Sequence, residues 1–202
     1  MRARRSSMQG VVPVHPLRLS ALASQQRVID KTARAAFPGL ADYGLIHVAT
    51  TQRTLRCIWA EDRGTAFSRD MRTIVSARIR CNDLTSTVAG VVRSGRPTLR
   101  TDIHHDEPKR PPARALAFRR LAPTSALVVP LLDQGAVLGT LSLCYSHSGR
   151  SHTRRQVPLA QRLAARIASV LMAATHATSR LHTAARHARQ GASLRQRLDT
   201  RN

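Results

Sequence analysis

The residues that could do chemistry in this sequence do not gather into a motif. The three cysteines, Cys57, Cys81 and Cys144, are widely spaced and form neither a Cys-x-x-Cys pair nor a disulfide framework. The run His104–Glu107 places potential metal ligands side by side on a loop, where adjacent residues seldom converge on one ion. We therefore predict no metal site, and we interpret the cysteines as small hydrophobic residues of the core.

Sequence motifs for catalysis are missing as well. The segment 140–144, "TLSLC", lacks the Gly-x-Ser-x-Gly pattern of a nucleophile elbow. The segment 90–97, "GVVRSGRP", has neither the lysine nor the spacing of a phosphate-binding loop. We predict that the chain has no catalytic residues and is not an enzyme.

The chain is strongly basic, with a net charge of +22 from 33 Lys and Arg against 11 Asp and Glu. Nearly all of this charge is arginine spread from end to end, which is weaker evidence for a binding site than one dense patch. An alternative function is a nucleic-acid-associated protein that uses Arg180, Arg186, Arg189, Arg195 and Arg197 of the tail. No helix-turn-helix or aromatic stacking platform accompanies these arginines, so we do not expect nucleic acid to be the partner.

Length and hydropathy predict one domain with extensions. The chain has 202 residues, of which 42% are apolar, enough to bury one hydrophobic core. No segment approaches the ~18 consecutive apolar residues of a membrane-spanning helix. Pro13 and Pro16 interrupt the basic start, so we predict no signal peptide, no membrane contact and a cytoplasmic location. Residues 1–16 are expected to form a disordered basic arm.

The first half of the chain predicts a helix followed by a hairpin. Apolar residues recur at helical spacing from Leu17 until Pro38 ends the pattern. The runs 43–49 and 54–60, "YGLIHVA" and "TLRCIWA", are rich in β-forming residues around a polar link. Residues 62–80 are mixed in character and give no assignment.

The middle of the chain predicts short elements separated by loops. A short helix is expected between Asp83 as its N-cap and Gly95 as its C-cap. The segment 96–103 predicts a brief strand, and 113–121 predicts a helix that ends before a proline.

The last third predicts a second hairpin and one long helix. In 125–145, "SALVVPLLDQGAVLGTLSLCY", two apolar runs flank a turn in which Gly135 can adopt a positive φ. Thr153 and Gln156 fit a capping box, although Pro158 favours a later start of the helix. The element order predicts an α+β fold, in which helices pack against a central antiparallel sheet.

A 4-3 spacing of apolar residues runs along the long helix. It begins at Leu163 and continues through Ala174, Ala177, Leu181, Ala184 and Ala188. This spacing is typical of a coiled-coil seam. Beyond Ala174 the helix is expected to leave its domain, so the seam predicts a parallel homodimer.

Three segments carry a resemblance to a known family. Residues 89–103 match its helix, Arg-x-Gly-x-Pro turn and strand, and 149–174 match its closing helix. The hairpin within 121–146 matches at Ser125, Pro130, Leu131, Gly135, Gly139 and Leu141. The chain resembles the GAF domain family in these segments. Residues 28–60 are similar, less specifically, to the family's opening helix and first hairpin, so the resemblance covers roughly residues 20–178. The resemblance implies a GAF/PAS-like fold with a long C-terminal signalling helix, in which 17–176 form a sensory domain and 177–202 a helical extension.

The resemblance also implies a ligand pocket against one face of the sheet. Along the last strand, from Val137 to Tyr145, one face carries bulky apolar residues and the other carries smaller, partly hydroxyl-bearing residues. We take this second face as the pocket wall. Gly139 is expected to meet a helix side chain or a bound molecule, and Pro130 to lie at a bulge or unpaired position. The predicted pocket residues are Cys57, Trp59, Phe118, Thr140 and Ser142.

The ligand is not identified by the sequence, and no cofactor is assigned. No cyclic-nucleotide, tetrapyrrole or haem motif is recognised, and a free-methionine sulfoxide reductase would need paired cysteines that these spacings do not resemble. In the family, such an exit helix usually leads to a kinase or phosphatase module. The sequence contains no such module, so we expect either a truncated sensor or a stand-alone regulatory subunit. His152 and Gln156 stand where the family usually has an aromatic and an acidic residue.

Overall fold

The computed structural model describes residues 12–36, 39–62, 69–103 and 112–199, with side chains of the last helix up to Thr178. The helices are α1 (Leu19–Leu22), α2 (Gln26–Ala36), α3 (Arg69–Ser76), α4 (Thr87–Ser94), α5 (Pro112–Leu121) and α6 (Val157–Asp199). The strands are β1 (Tyr43–Ala49), β2 (Thr54–Asp62), β3 (Ile79–Arg80), β4 (Thr98–Arg100), β5 (Ser125–Asp133) and β6 (Ala136–Tyr145). The predicted elements are all present, and the unassigned segment 62–80 supplies α3 and β3.

The strands form one antiparallel sheet in the order β3-β2-β1-β6-β5-β4. The two predicted hairpins, β1–β2 and β5–β6, join at the centre of the sheet. Ile46 of β1 lies opposite Leu141 of β6 there. The predicted α+β fold is therefore confirmed.

The helices divide between the two faces of this sheet. α1, α2 and α6 cover one face, where Ile46, Leu127 and Leu141 pack with Ile167 of α6 in the main core. α3, α4 and α5 cover the other face, where the buried apolar residues form two smaller clusters. The second face is therefore the less densely filled of the two, and it contains the cavity described below.

The N-terminal segment is bonded to the sheet. The His15 N–H donates to the Val137 carbonyl at 2.9 Å, and the Val137 N–H donates to the Pro13 carbonyl at 2.8 Å. The Leu17 N–H donates to the Ala49 carbonyl at 2.8 Å, so the segment connects the ends of β1 and β6. The prediction of a disordered arm is wrong for residues 12–16, and residues 1–11 lie outside the described residues.

A bulge in β6 changes the predicted alternation of its side chains. The register with β5 shifts between Leu131 and Leu132, which leaves Leu138 as an extra residue. Leu138 consequently packs in the main core, whereas Val137 packs with Leu55 on the opposite face. This is the reverse of the prediction at that end of the strand, while the rest of β6 alternates as predicted.

Gly139 lies against the backbone of the neighbouring strand. A Cβ at this position would overlap the carbonyl oxygen of His47 and lie 2.8 Å from the Cα of Val48. The predicted close approach is present, but the approaching group is β1 itself and not a helix side chain or a ligand. Pro130 lies beside the register shift and beyond Val128, the last β5 residue paired with β4, as predicted.

The predicted C-cap of α4 is correct and its predicted N-cap is wrong. Ser86, not Asp83, is its N-cap, because the Ser86 hydroxyl accepts the Ala89 N–H at 3.3 Å. Asp83 accepts the N–H and hydroxyl of Thr85 instead. Gly95 ends the helix with a φ of 62°, which is the predicted C-cap.

The start of α6 is fixed to the sheet by His152. The Ser125 hydroxyl lies 2.8 Å from His152 Nδ1, and His152 Nε2 donates to the Leu40 carbonyl at 2.9 Å. A carbonyl can only accept, so Nδ1 is the acceptor for Ser125. The His152 ring also stacks on Tyr145, with 4.4 Å between the ring centroids. The predicted capping box of Thr153 with Gln156 then leads through one 3₁₀ turn into α6.

One helical stretch, Arg154–Thr178, is long and apolar enough by composition to cross a membrane. Its apolar residues include Leu163, Ile167 and Leu171, which are buried against the sheet. A core helix passes the same test of length and hydropathy, so packing within the domain accounts for this composition.

Candidate functional site

A cavity of about 100 Å³ lies between the second face of the sheet and helices α3, α4 and α5. Its sheet wall is formed by side chains of β1, β5 and β6, and its roof by the three helices. The lining includes apolar residues, namely Tyr43, Leu45, Ile74, Ile79, Val88, Ile103, Phe118, Leu121, Ala126, Val128 and Cys144. The polar lining residues are His47, Ser86, Thr87, Arg100, Arg114 and Ser142.

Three buried polar side chains on the cavity side of the sheet have no hydrogen-bond partner among the described residues. They are His47 at both ring nitrogens, Thr140 at its hydroxyl and Ser142 at its hydroxyl. Their exposed fractions are 2%, 0% and 3%. His47 lies directly opposite Thr140, and Ser142 lies two pairs further along β6; of the three, His47 and Ser142 line the cavity. A buried polar group without a partner is costly, so these two side chains are the part of the wall best suited to receive polar atoms of a ligand.

His47 is a neutral imidazole at physiological pH. Complete burial, helped by the positive charge of Arg114, lowers the pKa of His47 from 6.5 to about 4. A neutral imidazole offers one N–H donor and one acceptor nitrogen. His47 can therefore bond both an acceptor and a donor of a bound molecule.

Two basic side chains also line the cavity. Arg100 of β4 and Arg114 of α5 both line it, and no acidic residue does so among the described residues. The first residues of α4 line it as well, where N–H groups have no acceptor within the helix and the helix dipole is positive.

The structure places only two of the five predicted pocket residues in the cavity lining. Phe118 and Ser142 line the cavity. Cys57 and Thr140 lie on the cavity side of the sheet but outside the lining, with Cys57 packed in the cluster of Tyr43 and Met71. Trp59 packs on the opposite face with the main core, because β2 has a register shift opposite Ile46 and His47. Trp59 is therefore not part of this wall.

Sequence reasoning missed His47, Arg100 and Arg114. His47 interrupts an otherwise apolar strand, "YGLIHVA", and this interruption was a usable signal. The two arginines could not be separated from the other basic residues, because only the packing of α5 and β4 against the sheet brings them to the cavity.

The cysteines do not have the properties of nucleophiles. Burial raises the pKa of Cys57 to about 12 and that of Cys144 to about 12, and it also raises the pKa of Cys81. A thiol, unlike a thiolate, is a poor nucleophile and metal ligand. Within the described ranges no group of three His, Cys, Asp or Glu residues could hold a metal ion. The run His104–Glu107 lies outside the described residues.

The predicted seam of α6 is described only in part. Ala174 is buried in the main core, and Ala177 is exposed where α6 leaves the sheet. The backbone continues as helix through Leu181, Ala184 and Ala188 to Asp199, but the side chains of these three residues lie outside the described part.

The fold is shared with several solved structures. A GAF domain/HD domain protein from Geobacter sulfurreducens superimposes with a TM-score of 0.60 at 14% identity, covering 78% of this chain and 98% of that one. The GAF-B domain of DevS from Mycobacterium smegmatis gives 0.55 at 18% identity, with 79% and 98% covered. A type II free methionine-R-sulfoxide reductase from Thermoplasma acidophilum gives 0.51 at 14% identity, with 76% and 93% covered.

At these identities the likeness shows the fold and not a shared ligand or activity. No curated protein matches the sequence. The family model for the GAF domain matches residues 23–172, a range that contains the whole sheet, the cavity and the packed part of α6. The chain therefore belongs to the GAF domain family.

Proposed function

We propose that this chain is a non-enzymatic sensory domain of bacterial signal transduction that binds a small molecule in the cavity and transmits binding through α6. GAF domains are sensory domains of signalling proteins. The observation that carries the proposal is the cavity itself, whose sheet wall contains two buried lining side chains, His47 and Ser142, without hydrogen-bond partners in the described ranges. An enzyme on this scaffold is disfavoured because full burial of Cys144 and partial burial of Cys57 and Cys81 raise the pKa of each and keep these cysteines as thiols.

Strands β5 and β6 each contact both the cavity and the core beneath the exit helix α6. In β5, Ala126 and Val128 line the cavity, while Leu127 between them packs in the core with α6. In β6, Ser142 lines the cavity and Leu143 packs in that same core. A ligand that moves either strand by a fraction of an ångström would therefore change the packing beneath α6, since close-packed interiors transmit strain.

The output is proposed to act through a dimer. The sequence seam from Ala174 to Ala188 would pair with a second copy, and the geometry of this pair would be read by a kinase or phosphatase domain. We propose a cytoplasmic location, because such outputs act on cytoplasmic substrates.

A cavity-filling variant tests this function. We would measure thermal shift and saturation-transfer NMR with four matched four-carbon probes, namely butyrate, butyramide, 1-butanol and butylamine. Ala126→Leu fills the cavity, and Ala165→Leu makes the same change on the exposed side of α6. At least one probe should bind the wild type and Ala165→Leu but lose roughly tenfold in affinity for Ala126→Leu, and it should alter hydrogen exchange in α6. Probes that bind all three proteins equally, or none that bind at all, would contradict the proposal.

A further inference from the structure

We propose that the cavity accepts a small organic anion, a short-chain carboxylate whose charged end lies among His47, Ser142, Arg114 and the start of α4. This inference rests on the proposed function and names the ligand class of the same site. It also gives the ligand an orientation, because the cavity has a polar end and an apolar end.

The register of the central strands defines these two ends. Along β1 the cavity-side residues run from Tyr43 through Leu45 to His47. Tyr43 lies opposite Cys144, and Leu45 lies opposite Ser142. The part of the wall formed by β1 and β6 is thus apolar at one end and polar at the other. The residues of α5 are arranged in the same direction. Arg114 acts electrostatically on His47, whereas Phe118, one turn later, packs in the cluster of Tyr43 and Cys144.

Charge at the polar end favours an anion. Of the two arginines that line the cavity, Arg114 acts on His47 at this end, whereas Arg100 pairs with Ala126 and lies in register with Cys144 at the other end. The described lining contains no carboxylate that would repel a ligand of negative charge. Arg114 also acts on Asp83 outside the cavity, and it helps to lower the pKa of that carboxyl. The proposal requires only that the guanidinium charge is close to the cavity, because a carboxylate gains from a nearby positive charge even when it is shared.

The start of α4 supplies hydrogen-bond donors in addition to this charge. α4 spans eight residues, Thr87–Ser94, and its first residues line the cavity. The hydroxyl of Ser86 already accepts the Ala89 N–H, so the capping bond leaves the earlier N–H groups of the helix for another acceptor. An anion is the group that a helix N-terminus stabilises best.

The unpartnered side chains on the sheet wall supply independent evidence. His47 and Ser142 are each more than nine-tenths buried, line the cavity and have no hydrogen-bond partner in the part of the chain that the structure describes. A carboxylate has two oxygens that accept the hydroxyl of Ser142 and the N–H of His47 simultaneously. The acceptor nitrogen of His47 leaves room for a donor on the ligand, such as a hydroxyl beside the carboxylate.

The size of the cavity limits the rest of the ligand. A volume of about 100 Å³ is smaller than the ~300 Å³ typical of the smallest drug-sized pockets. A tetrapyrrole, haem or nucleotide does not fit this space, whereas a short aliphatic chain fits against Phe118 and Cys144. A ligand with a negatively charged end and a short apolar end is a short-chain carboxylate.

The test compares butyrate with butyramide, 1-butanol, butylamine and inorganic phosphate, using the full chain in about 150 mM salt so that exposed arginines are screened. Arg114→Gln removes charge from the cavity. Arg72→Gln makes the same charge change on the exposed side of α3. Ser142→Ala removes one donor from the wall.

We expect butyrate to bind the wild type and Arg72→Gln equally and to bind Arg114→Gln at least about tenfold more weakly. Ser142→Ala should show a smaller loss, and the three uncharged or cationic probes should bind poorly. Butyramide or 1-butanol binding as well as butyrate, with loss in Ala126→Leu, would overturn the anion assignment and leave the sensory function standing. Equal loss in Arg72→Gln, or phosphate binding as tightly as butyrate, would overturn it as non-specific attraction or as a general oxyanion site. Failure of every probe to distinguish the wild type from Ala126→Leu would overturn both proposals.

Discussion

His47 is the residue whose chemistry depends most directly on the cavity. It lies at the centre of the sheet, 2% exposed, with no hydrogen-bond partner among the described residues. Leaving two imidazole nitrogens unsatisfied in a buried strand is destabilising, and Val or Leu at this position would avoid the cost. A polar residue retained at such a place is understandable when its partner is a bound molecule.

The burial of His47 predicts a specific loss of stability in mild acid. Its pKa is about 4 in the folded chain and near 6.5 when unfolded, so between these values the unfolded chain binds the extra proton. The free energy of unfolding therefore rises with pH across this window and falls as pH is lowered through it. From pH 7 to pH 4.5 the His47 contribution to this loss is about 2 kcal/mol.

Urea unfolding of the wild type and His47→Gln at several pH values measures this contribution. The difference in unfolding free energy between the two proteins should change by about 2 kcal/mol from pH 7 to pH 4.5. His152, whose pKa burial also lowers, titrates in both proteins and cancels in the comparison. Parallel pH profiles for the two proteins would contradict the assignment of His47 as a neutral buried group.

Asp42 and His152 are buried polar residues whose hydrogen bonds hold neighbouring segments together. Burial opposes ionisation of Asp42, but hydrogen bonds from the N–H groups of Ser146 and Ser148 outweigh it and lower its pKa. His152 takes the place of the expected aromatic residue by stacking on Tyr145 and bonding Ser125. Its Ser–His pair is sealed in the protein interior, so its role is to hold the start of α6 against the sheet.

At the scale of elements, the β1–β6 pair is the part of the fold that tolerates least change. Gly139 faces the backbone of β1, and a Cβ there would lie against the carbonyl of His47, a group that cannot swing aside as a side chain can. We expect Gly139→Ala to destabilise the domain by about 3 kcal/mol, since overpacking of this kind forces the strands apart.

Gly90→Ala is the matched control for this change. Gly90 lies within α4, where the nearest side-chain atom to an added Cβ is 3.9 Å away. Alanine there should stabilise the protein by about 0.5–1 kcal/mol, because glycine is a poor helix former. Denaturant unfolding of both variants measures the two effects, and similar stability of Gly139→Ala and the wild type would show that β1 and β6 do not approach as closely as described.

Elements were predicted well from the sequence where local patterns determine them. Both hairpins, the C-cap at Gly95 and the capping box at Thr153 follow from short-range preferences. Apart from the N-cap of α4, which is Ser86 and not Asp83, the errors arise from contacts distant in sequence. The bulge at Leu138 exchanges the faces of its neighbours, the shift in β2 turns Trp59 to the other face, and β1 and β6 together hold the N-terminal segment. For the same reason only Phe118 and Ser142 of the predicted pocket line the cavity.

At the scale of the whole molecule, α6 joins the folded domain to whatever lies beyond it. Its first part is core, with Leu163, Ile167 and Leu171 buried on the sheet. Its backbone continues as helix to Asp199, beyond Ala174, the last described residue in the main core. A helix that packs on nothing is marginal by itself, because most helical stability in proteins comes from tertiary packing. A second copy of the helix, paired along the predicted seam, would supply this packing.

Substitution of the seam by glutamate tests the proposed dimer. Leu181 is a seam position in the 4-3 spacing, and His182 is the adjacent residue outside it. In Leu181→Glu the new carboxylate would enter the apolar seam without a partner, which costs about 3–5 kcal/mol and should dissociate the dimer. His182→Glu introduces the same residue and charge outside the seam and should leave the mass unchanged. Size-exclusion chromatography with light scattering should give the mass of two chains for the wild type and His182→Glu and of one chain for Leu181→Glu. A wild type with the mass of one chain would contradict pairing through α6, and equal dissociation in both variants would place the effect in overall charge and not in the seam.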